Sequence, residues 1–387
     1  MAGPSAAAIL ADLGADVVKV EPLKGDTVRG GSRQPRKADG VVQVDAPFQV
    51  DNRGKRSIAV AIDRPEGAAV IQRLAANVEV FLCNLLPHRQ SRFGLDPASL
   101  LALRPTLVHA TFSGYGSSGP DVNRPGFDVT TFFARGSLTD SMAEPGMPPP
   151  WPRPAQGDHT SSLALVAGIL AALRLAERTG EGQVLDCNLL ATAAWTQATD
   201  LSSALVDGHQ PGKRDRRHQV GALSNRFLCK DDRWIMLNMT EGRYWPMFCN
   251  AIDRPELARD GRFVSIKTRF DNMTVLTDML DEVFRTRTMT AWGEAFDAAN
   301  LIWGPVATLV ELANDPQAEA IGMYPTIDHP AGRFRTIAAP MFIRGADIEP
   351  RGRAPELGEH TSEILLAAGY TEDEVATLHA DGVIGVA

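Results

Sequence analysis

Over the first half of the chain the apolar positions fall into short runs that alternate between strand-like and helix-like spacing. Pro4–Leu13 has Pro near its first turn, an Ala-rich interior and Gly14 as its stop, which predicts a helix. Ala15–Glu21 then predicts a strand rich in Val. Ser57–Ile62 and Val78–Cys83 predict strands on either side of a helix over Pro65–Ala76, a β-α-β unit of ordinary length. A short helix over Asp96–Leu103 and a strand over Thr106–Phe112 follow, and Asp128–Thr139 has helical spacing. Farther on come a long helix from Thr160 to about Arg178, closed by Gly180, and a strand over Gln183–Cys187. A helical stretch over Leu189–Val206 ends at Gly208. This alternation predicts an α/β fold on a parallel, doubly wound sheet. Its first element is a helix where a β-α-β unit would place a strand. The sheet is therefore expected either to lack one strand or to have it upstream.

After the basic stretch Gln210–His218, with Lys213, Arg214, Arg216 and Arg217, the texture changes. Asn225–Cys229 and Trp234–Asn238 predict a strand pair across the turn Lys230–Arg233. Helices are expected over Tyr244–Ile252, Arg269–Arg285 and Thr290–Asn300. This predicts a smaller α+β domain inserted into a large Rossmann-like one. The expected division is 1–208, a linker 209–222, the small domain 223–305, a linker 306–330, and a return to the large domain over 331–387. Phe334–Ile343 includes strand-like pieces, and Thr361–Ala368 and Thr371–Leu378 predict helices, the second opened by a Thr371–Glu374 capping box.

Composition narrows the class. The chain has 387 residues and a formal net charge of −8, which disfavours a nucleic-acid partner held by general electrostatics. Four cysteines lie far apart with no CxxC, arguing against a disulfide framework or a structural metal. Met1–Pro4 has no basic leader, and the apolar run Leu163–Leu173 is too short to cross a bilayer, so a cytoplasmic protein without a membrane partner is expected.

The candidate chemistry centres on Gln156–Ser162. A Pro-rich approach, Glu144–Pro154, leads to Gly157, which would permit a sharp turn, and hydroxyl residues that can cap follow Asp158. Asp158 is thus expected at or just ahead of a helix N-terminus. It is either a plain first-turn acid, or a nucleophilic carboxylate with helix amides ready for a developing oxyanion. Asn84 directly follows a strand, where the carboxyl edge of an α/β sheet meets its ligand. The polar loop Gly25–Asp45 contains Arg29, Arg33, Arg36 and Lys37; it is solvated surface by default, though Arg29, close behind a strand end, is suited to a phosphate. Gly114–Gly119 matches G-x-G-x-x-G, but Pro120, Asp121, Asn123, Pro125 and Gly126 follow where a helix should open. A Gly-rich turn is expected there, not a dinucleotide site.

Several of these segments, in this order, resemble family III CoA-transferases (the CaiB/BaiF family). They are AGPSAAAILADLGADVVKVEP at the start, NRGKRSIAVAIDRPEG, FLCNLLPHRQSRFGLD, FSGYGSSGP, PGFD, the Gly157-Asp158 pair followed by GILAAL, and LGEHTSEILLAAGY. The resemblance runs nearly end to end. It implies a nucleophilic Asp158, and CoA held along the carboxyl edge of the sheet by Arg29, Asn84, Leu85 and Arg92. It also implies acyl-CoA and a carboxylic acid as substrates, no tightly bound cofactor, no metal, and an interlocked homodimer. CoA would then pass from an acyl-CoA donor to the acid through covalent aspartyl derivatives.

Two other readings stay open. One is an α-methylacyl-CoA racemase, whose histidine would fall where Phe127 stands; Phe127 carries no proton, His159 matches no racemase histidine, and Glu241 falls where racemases have a glutamate. The other is a CoA-binding homologue without catalysis. Met239–Gly242 replaces the Gly-rich loop of formyl-CoA transferases, which argues against formyl or oxalyl specificity. Relatives of this family normally begin upstream of Ala2-Gly3-Pro4, so a strand preceding these residues is the family expectation.

Overall fold

The computed structural model describes residues 1–30 and 40–386; Arg33, Arg36 and Lys37 of the basic loop lie outside them. The chain divides into two compact units. One comprises Met1–Ser141, Trp151–His209 and Pro316–Ala387, the other Met142–Pro150 and Gln210–Asp315. The stretches 210–222 and 306–315 therefore belong to the second unit, and 316–330 to the first.

The first unit opens with α1 (Ala2–Asp12), β1 (Val18–Glu21), α2 (Ala46–Asn52), β2 (Arg56–Val60), α3 (Pro65–Ala75) and β3 (Val80–Cys83). It continues through α4 (Pro87–Phe93), α5 (Pro97–Leu103), β4 (Val108–Ser113), the long α6 (Gln156–Thr179), β5 (Gln183–Asn188), α7 (Leu189–Thr196) and α8 (Ala198–Asp207). The second unit holds β6 (Ser224–Leu228), β7 (Trp234–Asn238), α9 (Tyr244–Ala251), α10 (Met273–Phe284), α11 (Met289–Ala298) and β8 (Trp303–Pro305). The chain closes on the first unit with α12 (Thr361–Ala367), α13 (Glu372–Ala380) and β9 (Ile384–Gly385). Capping chemistry sets several of these starts: Asp96 accepts from the Ser99 amide at the head of α5, and Thr371 with Glu374 closes the expected capping box at α13.

The strands of the first unit form two three-stranded sheets and a two-stranded antiparallel pair, Thr326–Ile327 with Phe334–Arg335, rather than one continuous doubly wound sheet. In one, β1 pairs parallel with β2 (Val18 opposite Arg56), and β9 lies antiparallel on the other side of β2 (Ile384 opposite Val60). In the other, β3, β4 and β5 run parallel, with Cys83 opposite Thr111 and Ser113 opposite Asn188. All six residues of β4 are buried, as expected for the central strand of a covered parallel sheet. Its carboxyl end therefore lies beside those of β3 and β5, and the loops after them share one edge.

The core over the β3-β4-β5 sheet joins Ala2, Ala6 and Ile9 of α1 to Leu165, Val166 and Ile169 of α6. Small residues on α1 let the two helices approach closely. Helix α6 has the length and composition to cross a membrane, more than the run Leu163–Leu173 suggested, yet Leu165 and Ile169 are fully buried in this core. Sequence placed its start at Thr160; it begins four residues earlier, at Gln156.

A buried ion pair fastens α1 to the turn after α2. Arg53 Nη2 lies 2.6 Å from Asp12 Oδ2, its Nε donates to the same carboxylate, and Nη1 donates to the Val50 carbonyl. Both side chains are almost fully excluded from solvent. Arg53→Ala leaves Asp12 charged and unpaired, so chemical denaturation should show a loss of about 3–5 kcal/mol.

The second unit packs a three-stranded antiparallel sheet, β6-β7-β8, against α9, α10 and α11. Along β7, Ile235 and Leu237 turn inward while Met236 is exposed, the alternation of a one-sided sheet. Phe227 stacks on Phe284 with ring centroids 4.5 Å apart, and Trp292 and Phe296 continue the aromatic core. The helix expected over Arg269–Arg285 is two, Ile266–Asp271 and α10, divided at Asn272. Asp128–Thr139, expected as a helix, winds as a π-helical turn over Val129–Arg135 followed by a short helix, Leu138–Ser141.

Candidate active site

A chain of close backbone approaches leads from the carboxyl end of β4 to the head of α6. Gly114, just past Ser113, lies against Gly126: a β-carbon on Gly114 would fall 2.9 Å from the Gly126 Cα. Two residues on, the carboxyl group of Asp128 is buried against Gly157, in the first turn of α6. A β-carbon at Gly157 would fall 2.3 Å from Asp128 Oδ1 and 2.3 Å from Phe132 Cγ. Gly157 is thus needed for closeness. The turn itself is made by Ala155, whose φ of 72° puts a non-glycine residue in the left-handed region. That corrects the expected role of Gly157 as the turning residue.

Asp158 occupies the third position of α6 and is half-buried. No side chain caps this helix, and Thr160, Ser161 and Ser162, expected as caps, lie inside it. Thr160 and Ser162 donate instead to the Gln156 and His159 carbonyls. The first intrahelical bond runs from the His159 amide to the Ala155 carbonyl at 2.9 Å, so the amides before it are free for another acceptor. They point toward Asp128. The amides of Ala155, Gly157 and Asp158 face its carboxylate and favour its charge, although neither oxygen has a partner at normal hydrogen-bond geometry. Burial outweighs them and, with the negative charge of Asp158, raises the Asp128 pKa above the ordinary carboxylate value.

A raised folded-state pKa means that ionised Asp128 costs native stability above it, a cost that fades as pH falls and both states hold the proton. Asp128→Asn should therefore melt higher than the parent protein at pH 8, with the gap closing as pH falls through the carboxylate range. Thermal melts across pH check this.

On the other side of Asp158, His159 Nε2 lies 2.9 Å from Asp51 Oδ1. Asp51, on α2, is 2% exposed and also accepts from the Ser5 hydroxyl at 2.6 Å. Below it Lys55, fully buried, donates to the carbonyls of Pro4 and Asp51 and to Asn52 Oδ1. Its burial drives the Lys55 pKa well below the usual lysine range. The Asp51 hydrogen bond is the largest cause of a raised pKa at His159.

The other predicted residues fall in three places. Asn84 is exposed directly after β3, on the same sheet edge as Gly114, and Leu85 is half-buried beside it, its carbonyl accepting from Gln90 Nε2 at 2.6 Å. Arg92 is exposed on α4 with its guanidinium 5.4 Å from the Phe93 ring centroid. Arg29 belongs to the other sheet of this unit. Its Nε and Nη2 are held by Glu21 at 2.7 and 2.6 Å, and Nη1 donates to the Pro355 carbonyl. Burial works to raise the Glu21 pKa, but Arg29, Lys19 and Ser57 lower it overall, and Glu21 thus occupies the face of Arg29 expected to meet a phosphate. The Gly114–Gly119 loop opens no helix; Gly116 donates to Ser113 Oγ, and Ser117 donates through both amide and hydroxyl to Asp186. It is the Gly-rich turn that its prolines predict. Glu241, in the second unit, is exposed and paired with Arg243. No cluster of three or more metal-ligating side chains occurs among the described residues.

Sequence reasoning passed over Asp51 and gave Asp128 no role. Asp128 carried a signal, an acid inside PGFD just ahead of a helix-like run. Asp51 carried none, because only folding brings it to His159.

A covered parallel strand whose carboxyl-end loops bring one buried carboxylate close to a second, half-buried one marks a candidate site of an α/β enzyme. The comparisons with known proteins then specify which. The profile of CoA-transferase family III matches residues 1–361, and this chain belongs to that family. It is 29% identical over 379 residues to the (R)-2-hydroxy-4-methylpentanoate CoA-transferase of Clostridioides difficile, covering 97% of this chain and 94% of the relative. The human succinyl-CoA:glutarate CoA-transferase is 27% identical over 388 residues, with 99% and 87% covered. A crystal structure of a CaiB/BaiF family protein from Brucella suis superposes with a TM-score of 0.83 at 29% identity, covering 95% of this chain and 96% of the other. The protein is a CoA-transferase with a mixed α/β fold.

Proposed function

We propose that this enzyme moves CoA from an acyl-CoA to a free carboxylic acid through covalent derivatives of Asp158. The observation that carries the reading is the placement of Asp158: accessible on the first turn of a core helix, at a sheet edge, with Asp128 buried behind it against Gly157. An Asp158 oxygen attacks the thioester carbonyl, the C–S bond breaks, and the electron pair leaves on the CoA thiolate, giving an acyl-aspartyl anhydride. The thiolate then attacks the aspartyl carbonyl, the donor's acid departs as its carboxylate, and Asp158 is left as a CoA thioester. An acceptor carboxylate reverses both steps. No proton changes hands, so the protein's task is to orient the anions and exclude water from the anhydride.

In this reading Asn84, Leu85 and Arg92 hold CoA: an exposed carboxamide suits pantetheine amides, and an exposed guanidinium with no ion pair among the described residues suits a phosphate. Arg29 joins them only by giving up Glu21, and its present contacts make it a brace for the loop after β1. Rossmann-like CoA binding and an interlocked homodimer belong to the same proposal. Trp195, Leu205 and Val206, at 81%, 78% and 89% exposed on α7 and α8, offer apolar surface for a second copy.

The relatives' names make 2-hydroxy-4-methylpentanoate, glutarate and succinate the first acids to try. Incubation with acyl-CoA donors and these acids in deuterium oxide, followed by chromatography and mass measurement, tests the reaction class. New acyl-CoA whose formation depends on the acid supports it. Deuterium entering the α-carbon of the donor with no acid-dependent product would overturn it.

A further inference from the structure

The mechanism above leaves one polar assembly at the site unused. His159, next to Asp158 in the first turn, has its Nε2 tied to buried Asp51, which in turn is held by the Ser5 hydroxyl. An aspartate on one ring nitrogen fixes the imidazole's orientation and directs Nδ1 outward. The side chain of His159 is 46% exposed, and no residue among those described takes its Nδ1. That braced nitrogen is open to solvent and within reach of a bound anion.

The charge balance of the reaction says what. Asp158 and Asp128 already place two carboxyl groups together, and the acid substrate brings a third. The thioester end of the acyl-CoA brings no charge. A cation beside Asp158 is therefore required by the acid and not by the donor. We propose that His159, braced by Asp51, is the counter-ion that receives the carboxylate of the acid substrate, whether it is entering as acceptor or leaving as product. Asp51 and Asp158 favour the charged ring, Asp51 more strongly, and the Met1 amino group opposes them. Lys55 Nζ faces Asp51 from below, donating to its carbonyl, and couples to its carboxylate's field. This assignment rests on the Asp158 reading, with Asp51 as a positioning residue that acts through His159.

Steady-state kinetics separate the acid from the donor. With whichever of glutarate, succinate or 2-hydroxy-4-methylpentanoate the wild-type enzyme accepts, His159→Gln should raise the KM of the acid about tenfold or more, the loss expected for one charged hydrogen bond. The KM of the acyl-CoA should stay within about twofold, since its reacting end carries no charge. His159→Arg, which keeps a cation, should recover part of the difference. Asp51→Asn should raise the acid's KM and move the alkaline limb of its kcat/KM profile to lower pH. Equal changes in both KM values, or none, would overturn the assignment. A reading independent of turnover is an acetate titration of wild-type protein followed by NMR of the His159 ring, where a saturable shift is expected and an unmoved resonance contradicts it. If acetate moves the ring but no acid is ever converted, the reaction proposed above fails and this binding role stands.

Discussion

Replacing Asp158 by Ala is expected to lower CoA transfer by at least about a thousandfold while leaving CoA affinity within a few-fold of the parent protein. The carboxylate is the bond-forming atom group in every step of the proposed relay, so no neighbouring residue can be promoted to its place. Asp128 is a neighbouring carboxyl group, but it is 5% exposed and packed behind the first turn of α6 against Gly157. CoA, by contrast, would be held by Asn84, Leu85 and Arg92 on other elements. Isothermal titration with CoA alongside a transfer assay checks both halves. Transfer that survives the substitution would remove Asp158 from the mechanism.

The second large effect comes from a residue with no chemistry of its own. Gly157→Ala puts a methyl group where Asp128 Oδ1 and Phe132 Cγ already lie, each 2.3 Å from the new atom. Both neighbours are buried, Phe132 at 2%, so neither can swing into solvent. Overpacking of this kind costs about 1–3 kcal/mol. The catalytic cost should be larger than the stability cost, because α6 must back away from Asp128 and carry Asp158 with it, and a misplacement of about 1 Å at a reacting group costs about a hundredfold. A folded protein by circular dichroism with kcat reduced about a hundredfold is the expected result. Gly180→Ala is the control. It strains a left-handed residue (φ 72°) at the far end of the same helix, where an added β-carbon meets nothing within 4 Å. It should lower the melting temperature slightly and leave kcat alone.

Much of the fold could be read from periodicity because each element declares itself locally. Pro65 starts α3, Gly180 stops α6, and the alternation of Ile235 and Leu237 with exposed neighbours marks β7. The misplaced features are those set by distant partners. The hydroxyl run Thr160–Ser162 looked like a cap, but the helix begins at Gln156, where the left-handed Ala155 turns the chain and the first-turn amides face Asp128, far earlier in the sequence. The sheet looked continuous because strand spacing does not reveal which strands fail to pair. At the site, the Gly157-Asp158 pair and the strand end at Asn84 were legible from turn chemistry and topology. The commitment of Arg29 to Glu21 was not, because a guanidinium suited to phosphate is equally suited to a carboxylate, and only the fold shows which it has met. Asp51 could be found only through its distance to His159.

The central claim is a covalent bond to one carboxyl group, and it can be caught directly. Wild-type protein incubated with an acyl-CoA and hydroxylamine should yield, after proteolysis and mass spectrometry, a hydroxamate on Asp158, since hydroxylamine attacks the aspartyl carbonyl of either the anhydride or the thioester. Acyl hydroxamate in solution with no mark on the protein, or a mark confined to another carboxylate such as Asp128, would contradict it.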